Sequence, residues 1–249
     1  MFEHLQIIEA DRIVQICLNR PRQLNALAGQ TIRELTEAID QFTSSEDDVL
    51  LLTGAGRAFC FGADFTEFQD RSQLPHLLHS FQTLILRLSE CPKMTVACLN
   101  GFATGAGLDL ALACDFRLAA EKAKLAEAYI NMGLVSDGGG SFFLQRTIGA
   151  SRALELLAFG EAISATDAKS MGLVNHVYSS EDLMSKSLEF AKTLSGKPQT
   201  ALRLIKKLIR QNATADLKSA LANEQQAQTT CFEDPVHQSI VLEFLNKRR

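Results

Sequence analysis

The chain has 249 residues, 46% of them apolar and 22% charged, with a net charge of −4. That size suits one large domain or a domain with an appendage. The acidic balance excludes the basic field that a nucleic-acid-binding surface needs. The opening MFEHLQIIEADR has early acids and no apolar core flanked by basic residues, so no signal peptide is expected and a cytoplasmic location is.

In chain order, HLQIIEA and RIVQICLN read as paired strands joined at Ala10–Asp11, and NRPRQLNAL as a turn. TIRELTEAIDQF places Ile32, Leu35, Ile39 and Phe42 at helical spacing. VLLLTG is a short, fully apolar run, the pattern of a strand buried on both faces of a parallel sheet. A helix carrying Leu77, Leu78, Phe81, Leu84, Ile85 and Leu88 follows. Residues 94–114, MTVACLNGFATGAGLDLALAC, are almost uncharged over a membrane-spanning length. Asn100, Thr104, Asp109 and three glycines interrupt them, so they read as a buried strand, a glycine turn and a buried helix. CDFRLAA is another strand. Strands alternate with helices to about residue 178, which predicts an α/β core with a mostly parallel sheet. Beyond GLVNHVY no strand is expected. Helices are predicted over Leu183–Leu194, over Thr200–Arg210, from about Asp216, and from Pro235. The expected organisation is therefore a core over 1–178 and a helical module over 179–249.

The six cysteines, at 17, 60, 91, 98, 114 and 231, form no C-x-x-C pair and no metal-ligand spacing with histidine. They read as small buried hydrophobes in a reducing compartment. Cys60, in the glycine-flanked AFCFGAD, is the one to watch for reactivity.

Three glycine-rich junctions carry the chemistry. LLTGAGRAFCFGAD lacks the third glycine of a dinucleotide fingerprint. It shares with LNGFATGAGLDLALACD a glycine followed by alanine, Gly62–Ala63 and Gly105–Ala106. Free N–H groups at a helix start attract negative charge, and two that converge form an oxyanion hole. The same glycines also permit tight helix–sheet packing, and spacing alone leaves both readings open. In MGLVSDGGGSFF a lone acid, Asp137, precedes three glycines and a helical pattern. It reads either as a helix N-cap or as a working carboxylate.

LNRPRQLNAL, GRAFCFGADF, NGFATGAGLDLALACDFRLAAEKAKL and SATDAKSMGLVNHV together resemble the signature blocks of the enoyl-CoA hydratase/isomerase (crotonase) superfamily, along essentially the whole chain. The resemblance implies a ββα spiral core, a helical carboxyl-terminal module, and trimers that often pair into hexamers. It implies acyl-CoA thioester substrates, with coenzyme A as part of the substrate and no separate cofactor, and neither nucleic acid nor membrane as partner. By the same resemblance the N–H groups of Ala63 and Ala106 receive the thioester oxygen as it becomes an enolate. Ala63, Asp64, Phe65 and Thr66 lie along the CoA path, Arg22 approaches its phosphates, and Phe244 and Lys247 reach CoA from the terminal helix, typically that of a neighbouring subunit.

Membership leaves the reaction open, because one fold hosts many chemistries. Hydratases of the family hold a water between two glutamates. Here the first position is Asp109 and the second is Tyr129, a poor base with a reference pKa of roughly 10. Glu127 is nearby but displaced by two residues. Asp137 matches the working carboxylate of several relatives, among them 1,2-epoxyphenylacetyl-CoA isomerases and Δ3,Δ2-enoyl-CoA isomerases. One carboxylate in an apolar pocket suffices to take an α-proton and return it at the γ-carbon. The expectation is an enoyl-CoA isomerase with Asp137 as base and acid, Asp109 as a helix-face acid paired with a neighbour or with solvent, and Tyr129 lining the pocket. The alternatives are an atypical hydratase using Asp109, a 4-halobenzoyl-CoA dehalogenase-like enzyme drawing on His76 or His79, and a catalytically silent acyl-CoA-binding fold.

Overall fold

The computed structural model describes residues 2–69 and 71–247. Strands β1 (Leu5–Ala10) and β2 (Ile13–Leu18) form an antiparallel hairpin. Asp11 and Arg12 both have positive φ, 54° and 61°, so the turn falls one residue later than Ala10–Asp11. This is the backbone that two-residue hairpin turns demand. Helix α1 (Gly29–Ser44), β3 (Val49–Gly54), β4 (Ala58–Cys60), α2 (Leu74–Glu90), β5 (Met94–Leu99), β6 (Phe102–Thr104) and α3 (Ala106–Leu112) follow. Next come β7 (Phe116–Ala120), β8 (Lys124–Ala126), α4 (Gly140–Ile148), α5 (Ala150–Phe159), β9 (Ile163–Ser164), α6 (Ala165–Ser170) and β10 (His176–Tyr178).

The main sheet has the order β1-β2-β3-β5-β7-β10, and every pair after the hairpin is parallel. All six residues of β3 are buried. Leu50 and Leu52 join a cluster with Leu35, Ile39 and Phe42 of α1 and Leu84 and Leu88 of α2. Val49 and Leu51 face the other way, toward Leu183 and Ala191 of α7 (Leu183–Ser195). Alternate side chains are buried on opposite faces, which is why VLLLTG has no polar face. The first helix of the expected carboxyl-terminal module thus covers the second face of the core sheet.

A second sheet, β4-β6-β8-β9, was not foreseen from the sequence. Its strands have two or three residues, too few for a period-2 pattern to register. It is the element that assembles the site. β4, β6 and β8 are parallel neighbours, with Cys60 paired to Ala103 and Thr104 to Ala126. Their carboxyl ends therefore open side by side onto Gly62–Ala63, Gly105–Ala106 and Glu127–Tyr129. Ligand sites of open parallel sheets lie at this edge. Two side-chain amides, one buried and one half-buried, tie the turns beneath it. Asn25, φ 58°, donates to Ala55 O and Ala58 O at 2.9 and 2.8 Å and accepts from Arg20 N–H. Asn100 donates to Gly56 O and accepts from Gly54 N–H.

Helices α8 (Gln199–Gln211), α9 (Leu217–Glu233) and α10 (Pro235–Asn246) close the chain. Asp216 and Asp234 cap the last two through their side chains, which is where the sequence placed both starts. α8 docks through Lys206, whose ammonium donates to Lys93 O and to Asp115. α9 buries Ala227 alone and α10 buries no residue. Leu217, Leu221, Val236, Ile240 and Phe244 are all exposed. No helix among the described residues is long and apolar enough to cross a membrane.

Candidate active site

The two glycine loops meet. A side chain at Gly62 would stand 3.0 Å from Thr104 O and 3.9 Å from Ala106 N, so the peptide entering Ala63 lies beside the one entering Ala106. Leu27 receives its backbone bonds from the flanking residues, with Leu27 N–H donating to Gly62 O and Asp64 N–H to Leu27 O. Among the described residues no backbone acceptor is found for the N–H of Ala63 or Ala106. Ala106 is the first residue of α3, after Gly105 at φ 51°, ψ −124°. Its N–H is one that a helix leaves unsatisfied. Gly107 presses on β4, and a methyl there would stand 2.1 Å from Cys60 O. The glycines allow close packing, and the packing leaves the N–H groups of Ala63 and Ala106 side by side.

The other expected CoA-path residues divide. Asp64 is buried, with its carboxylate held by Arg20 at 2.9 Å and the Thr66 hydroxyl at 2.7 Å. Burial acts to raise its pKa, but these bonds outweigh it and the value is lowered. Phe65 and Thr66 are exposed on the following turn. Arg22 is exposed on the 3-10 turn Pro21–Gln23. Phe244 and Lys247 stand at the end of α10, which packs on α9.

Facing the N–H pair is a cluster of acids. The ring of Tyr129 lies against Gly105, with Cε2 3.7 Å from where a side chain there would begin. Its hydroxyl reaches Asp109 Oδ2 at 2.7 Å and Asp137 Oδ1 at 2.9 Å. One tyrosine ring therefore separates Asp137 from the start of α3. Asp109 is fully buried on α3. Besides Tyr129 it accepts from the Ser136 hydroxyl and from Gly138 N–H, both at 3.1 Å. Burial raises its pKa to about 6 against those three donors. Asp137 is exposed at the rim. Partial burial still raises its value, and the Tyr129 bond opposes that. Burial, then the charges of Asp109 and Asp137, push the Tyr129 phenol up, so it acts only as a neutral hydroxyl.

Asp137 is not the cap of α4. The N-cap position is Gly139, at φ 92°, and Gly140 N–H donates to Ser136 Oγ at 2.8 Å. Each glycine of the triplet has a separate reason. A side chain at Gly138 would collide with Phe81 of α2 at 2.5 Å and with Asp109 Cβ at 2.7 Å. Gly139 supplies the left-handed turn. At Gly140 a methyl would stand 2.6 Å from Asp109 Oδ1 and Ser136 Oγ and 3.1 Å from Glu127 Oε1. The stretch is permissive because it folds the rim acid over the buried ones.

Glu127 is the residue that sequence reasoning set aside. Displaced from the second hydratase position, it directly follows β8 and is fully buried beside Asp109, and among the described residues neither carboxyl oxygen has a partner. The available signal was an acid directly after Leu125 and Ala126, the apolar end of a short strand. Two other expectations change. Cys60 is fully buried and its thiol is pushed up to about 12, so it is inert. His76 and His79 are exposed on α2. His79 lines a groove against Arg33, Glu37 and Asp40 of α1, whereas Phe81 and Gln82 are the α2 residues that face the acid cluster, Gln82 donating to Asp137 O at 3.3 Å.

The comparisons with known proteins agree with this architecture. Residues 9–249 match the family model described as enoyl-CoA hydratase/isomerase. The Bacillus subtilis enoyl-CoA hydratase/isomerase YhaR is 34% identical over 239 residues, 95% of this chain and 93% of its own. The 1,2-epoxyphenylacetyl-CoA isomerase of Escherichia coli K12 is 34% identical over 244 residues, again 95% and 93%. The crystal structure of an enoyl-CoA hydratase from Bacillus anthracis matches with a TM-score of 0.95 at 34% identity, over 98% of this chain and 97% of that one. Relatives of similar identity carry the names crotonyl-CoA hydratase and 4-chlorobenzoyl coenzyme A dehalogenase-1. The chain belongs to the enoyl-CoA hydratase/isomerase family, and its fold is the crotonase fold.

Proposed function

We propose that the protein is an enoyl-CoA isomerase that moves a double bond through a thioester enolate. The observation that carries this reading is the unequal placement of the carboxyls: Asp137 alone is exposed, while Asp109 and Glu127 are sealed beneath it. In this reading the thioester oxygen sits between the N–H groups of Ala63 and Ala106, which stabilise it as it gains charge. Asp137 takes the α-proton, the electrons pass through the enolate, and Asp137 returns a proton at the γ-carbon. The partial desolvation that raises its pKa makes the return easier.

A hydratase needs two accessible carboxylates on one water. Asp109 already accepts from three donors and has no exposed surface. A dehalogenase-like route needs a histidine near the attacking carboxylate, and His79 faces the α1 groove instead. The test is a panel of thioesters. Turnover of 3-enoyl-CoA to 2-enoyl-CoA, without water addition, is expected. Rapid hydration of 2-enoyl-CoA or halide release from 4-halobenzoyl-CoA would overturn the assignment.

The exposed apolar residues of α9 and α10 support assembly into trimers or hexamers, with Phe244 and Lys247 brought toward a neighbouring subunit's CoA path and Arg22 near the phosphates. Light scattering should give a multiple of three protomers. A 27.3 kDa particle at micromolar concentration would contradict it.

A further inference from the structure

Three carboxyl groups and one phenol share a few ångströms, and their hydrogens can be counted. Tyr129 has one hydroxyl hydrogen and two carboxyl neighbours, Asp109 at 2.7 Å and Asp137 at 2.9 Å. It donates to one of them, so a good contact with the other requires that carboxyl to carry a proton and donate to the phenol oxygen. Asp109 receives two further donors, Ser136 and Gly138 N–H, and is built to be an anion. Glu127 is its opposite. It is fully buried, and among the described residues neither oxygen meets a donor. The groups that face it are the carboxyls of Asp109 on α3 and Asp137 on the loop before α4, both of which repel a charge. An isolated buried carboxylate costs several kcal/mol, and such groups neutralise instead. Across the point beside Gly140 it faces Asp109 Oδ1, which Ser136 reaches only at 3.3 Å and which has room to accept one more hydrogen.

We propose that Glu127 is held as a neutral carboxylic acid at neutral pH and acts as a positioning residue: it confines the inner negative charge to Asp109, which keeps the Tyr129 hydroxyl turned inward and leaves Asp137 as the proton-carrying group at the rim. Burial and both neighbouring carboxylates push its pKa well up, which agrees with the donor count. The consequence for the reaction is an order of charges. While Glu127 keeps its proton, Asp109 takes the phenol hydrogen. Asp137 then has no donor from Tyr129 and holds its own proton to higher pH, and it gives that proton back readily after the enolate forms. Were the inner proton to pass from Glu127 to Asp109, the inner charge would move to Glu127 and the phenol hydrogen would turn outward to Asp137. The rim carboxylate would then be stabilised as an anion and become a poorer base.

The catalytic part of this inference rests on Asp137 being the proton carrier, but two of its three tests do not. Glu127→Gln replaces the neutral acid with a neutral amide of the same shape. The infrared carbonyl band of a protonated carboxylic acid, present in the wild-type protein at pH 7, should be missing from this variant. A wild-type spectrum without such a band overturns the proposal, whatever the reaction. Stability gives the second test. A carboxyl whose folded pKa is raised contributes fully below its unfolded value, near 4.5, and its contribution is lost as pH rises toward the folded value. Glutamine has no such loss. The variant should therefore match the wild type near pH 4.5 and melt at higher temperature at pH 8; equal or lower melting at pH 8 argues against a neutral buried Glu127. The third test is the pH profile of kcat/KM for double-bond migration. At pH 7 the variant should stay within about threefold of the wild type. Where Glu127 ionises it adds a second charge beside Asp109 and Asp137, so the alkaline limb of the wild-type profile should carry a step that the variant lacks, an effect that a purely structural side chain would not produce. An unchanged alkaline limb, with the infrared band confirmed, leaves Glu127 neutral but removes its positioning role.

Discussion

The floor and the rim of the acid cluster carry the same chemical group and treat it in opposite ways. On the floor, Asp109 and Glu127 are fully buried, and Asp109 is fixed by three donors. At the rim, Asp137 is exposed and has one side-chain partner, Tyr129. The proposed reaction gives the two carboxyls on this phenol different duties. The buried one orients, because it cannot touch a substrate. The exposed one can give and take a proton, because nothing else consumes both its oxygens. A position in a family motif does not distinguish the two; the number of donors and the access to solvent do.

The largest test of that division is to neutralise each acid in turn. Asp137→Asn should leave the fold intact, since the side chain caps no helix, and should lower the isomerisation rate by roughly two to four orders of magnitude. Asp109→Asn should reduce it far less. The comparison breaks if the two outcomes are exchanged, and an atypical hydratase then becomes the better reading.

A smaller effect concerns stability against pH. The folded value of Asp109 is raised from 3.8 to about 6, so its contribution is complete below pH 3.8 and is lost as pH climbs through 6. Over that interval the wild-type protein should lose roughly 3 kcal/mol relative to Asp109→Asn, which does not titrate. Melting curves at pH 4 and pH 7 measure it. Wild type and variant falling in parallel would mean that Asp109 is not desolvated as the floor requires.

The mildest test uses glycines. Gly140→Ala pushes a methyl among three floor oxygens at 2.6, 2.6 and 3.1 Å and should cost about 1–3 kcal/mol, with loss of activity as the acids shift. Gly133→Ala, near the rim, meets nothing within 4 Å. Its φ of 69° adds roughly 1 kcal/mol of backbone strain, and activity should be retained. Comparable losses of activity in the two variants would erase the distinction between floor and rim.

Much of this molecule is legible in its sequence, for reasons that are local. VLLLTG announces a doubly buried strand because both faces must be apolar. The α1, α7, α8, α9 and α10 segments announce themselves through helical periodicity, and Asp216 and Asp234 through cap chemistry. Gly62–Ala63, Gly105–Ala106 and Asp137–Gly140 stand out because few other uses require such backbone. The small second sheet was not legible: strands of two or three residues are stabilised by their neighbours and leave no period of their own. Nor were the burial of Asp109, the capping of α4 by Ser136, or the place of Glu127. Composition and pattern determined the α/β class and the glycine loops, and the family resemblance pointed to the candidate acid. The three-dimensional fold alone decided which carboxyl is exposed and which is sealed. Access to water and the number of donors depend on residues far apart in the chain, which meet only where the parallel strands β4, β6 and β8 end together.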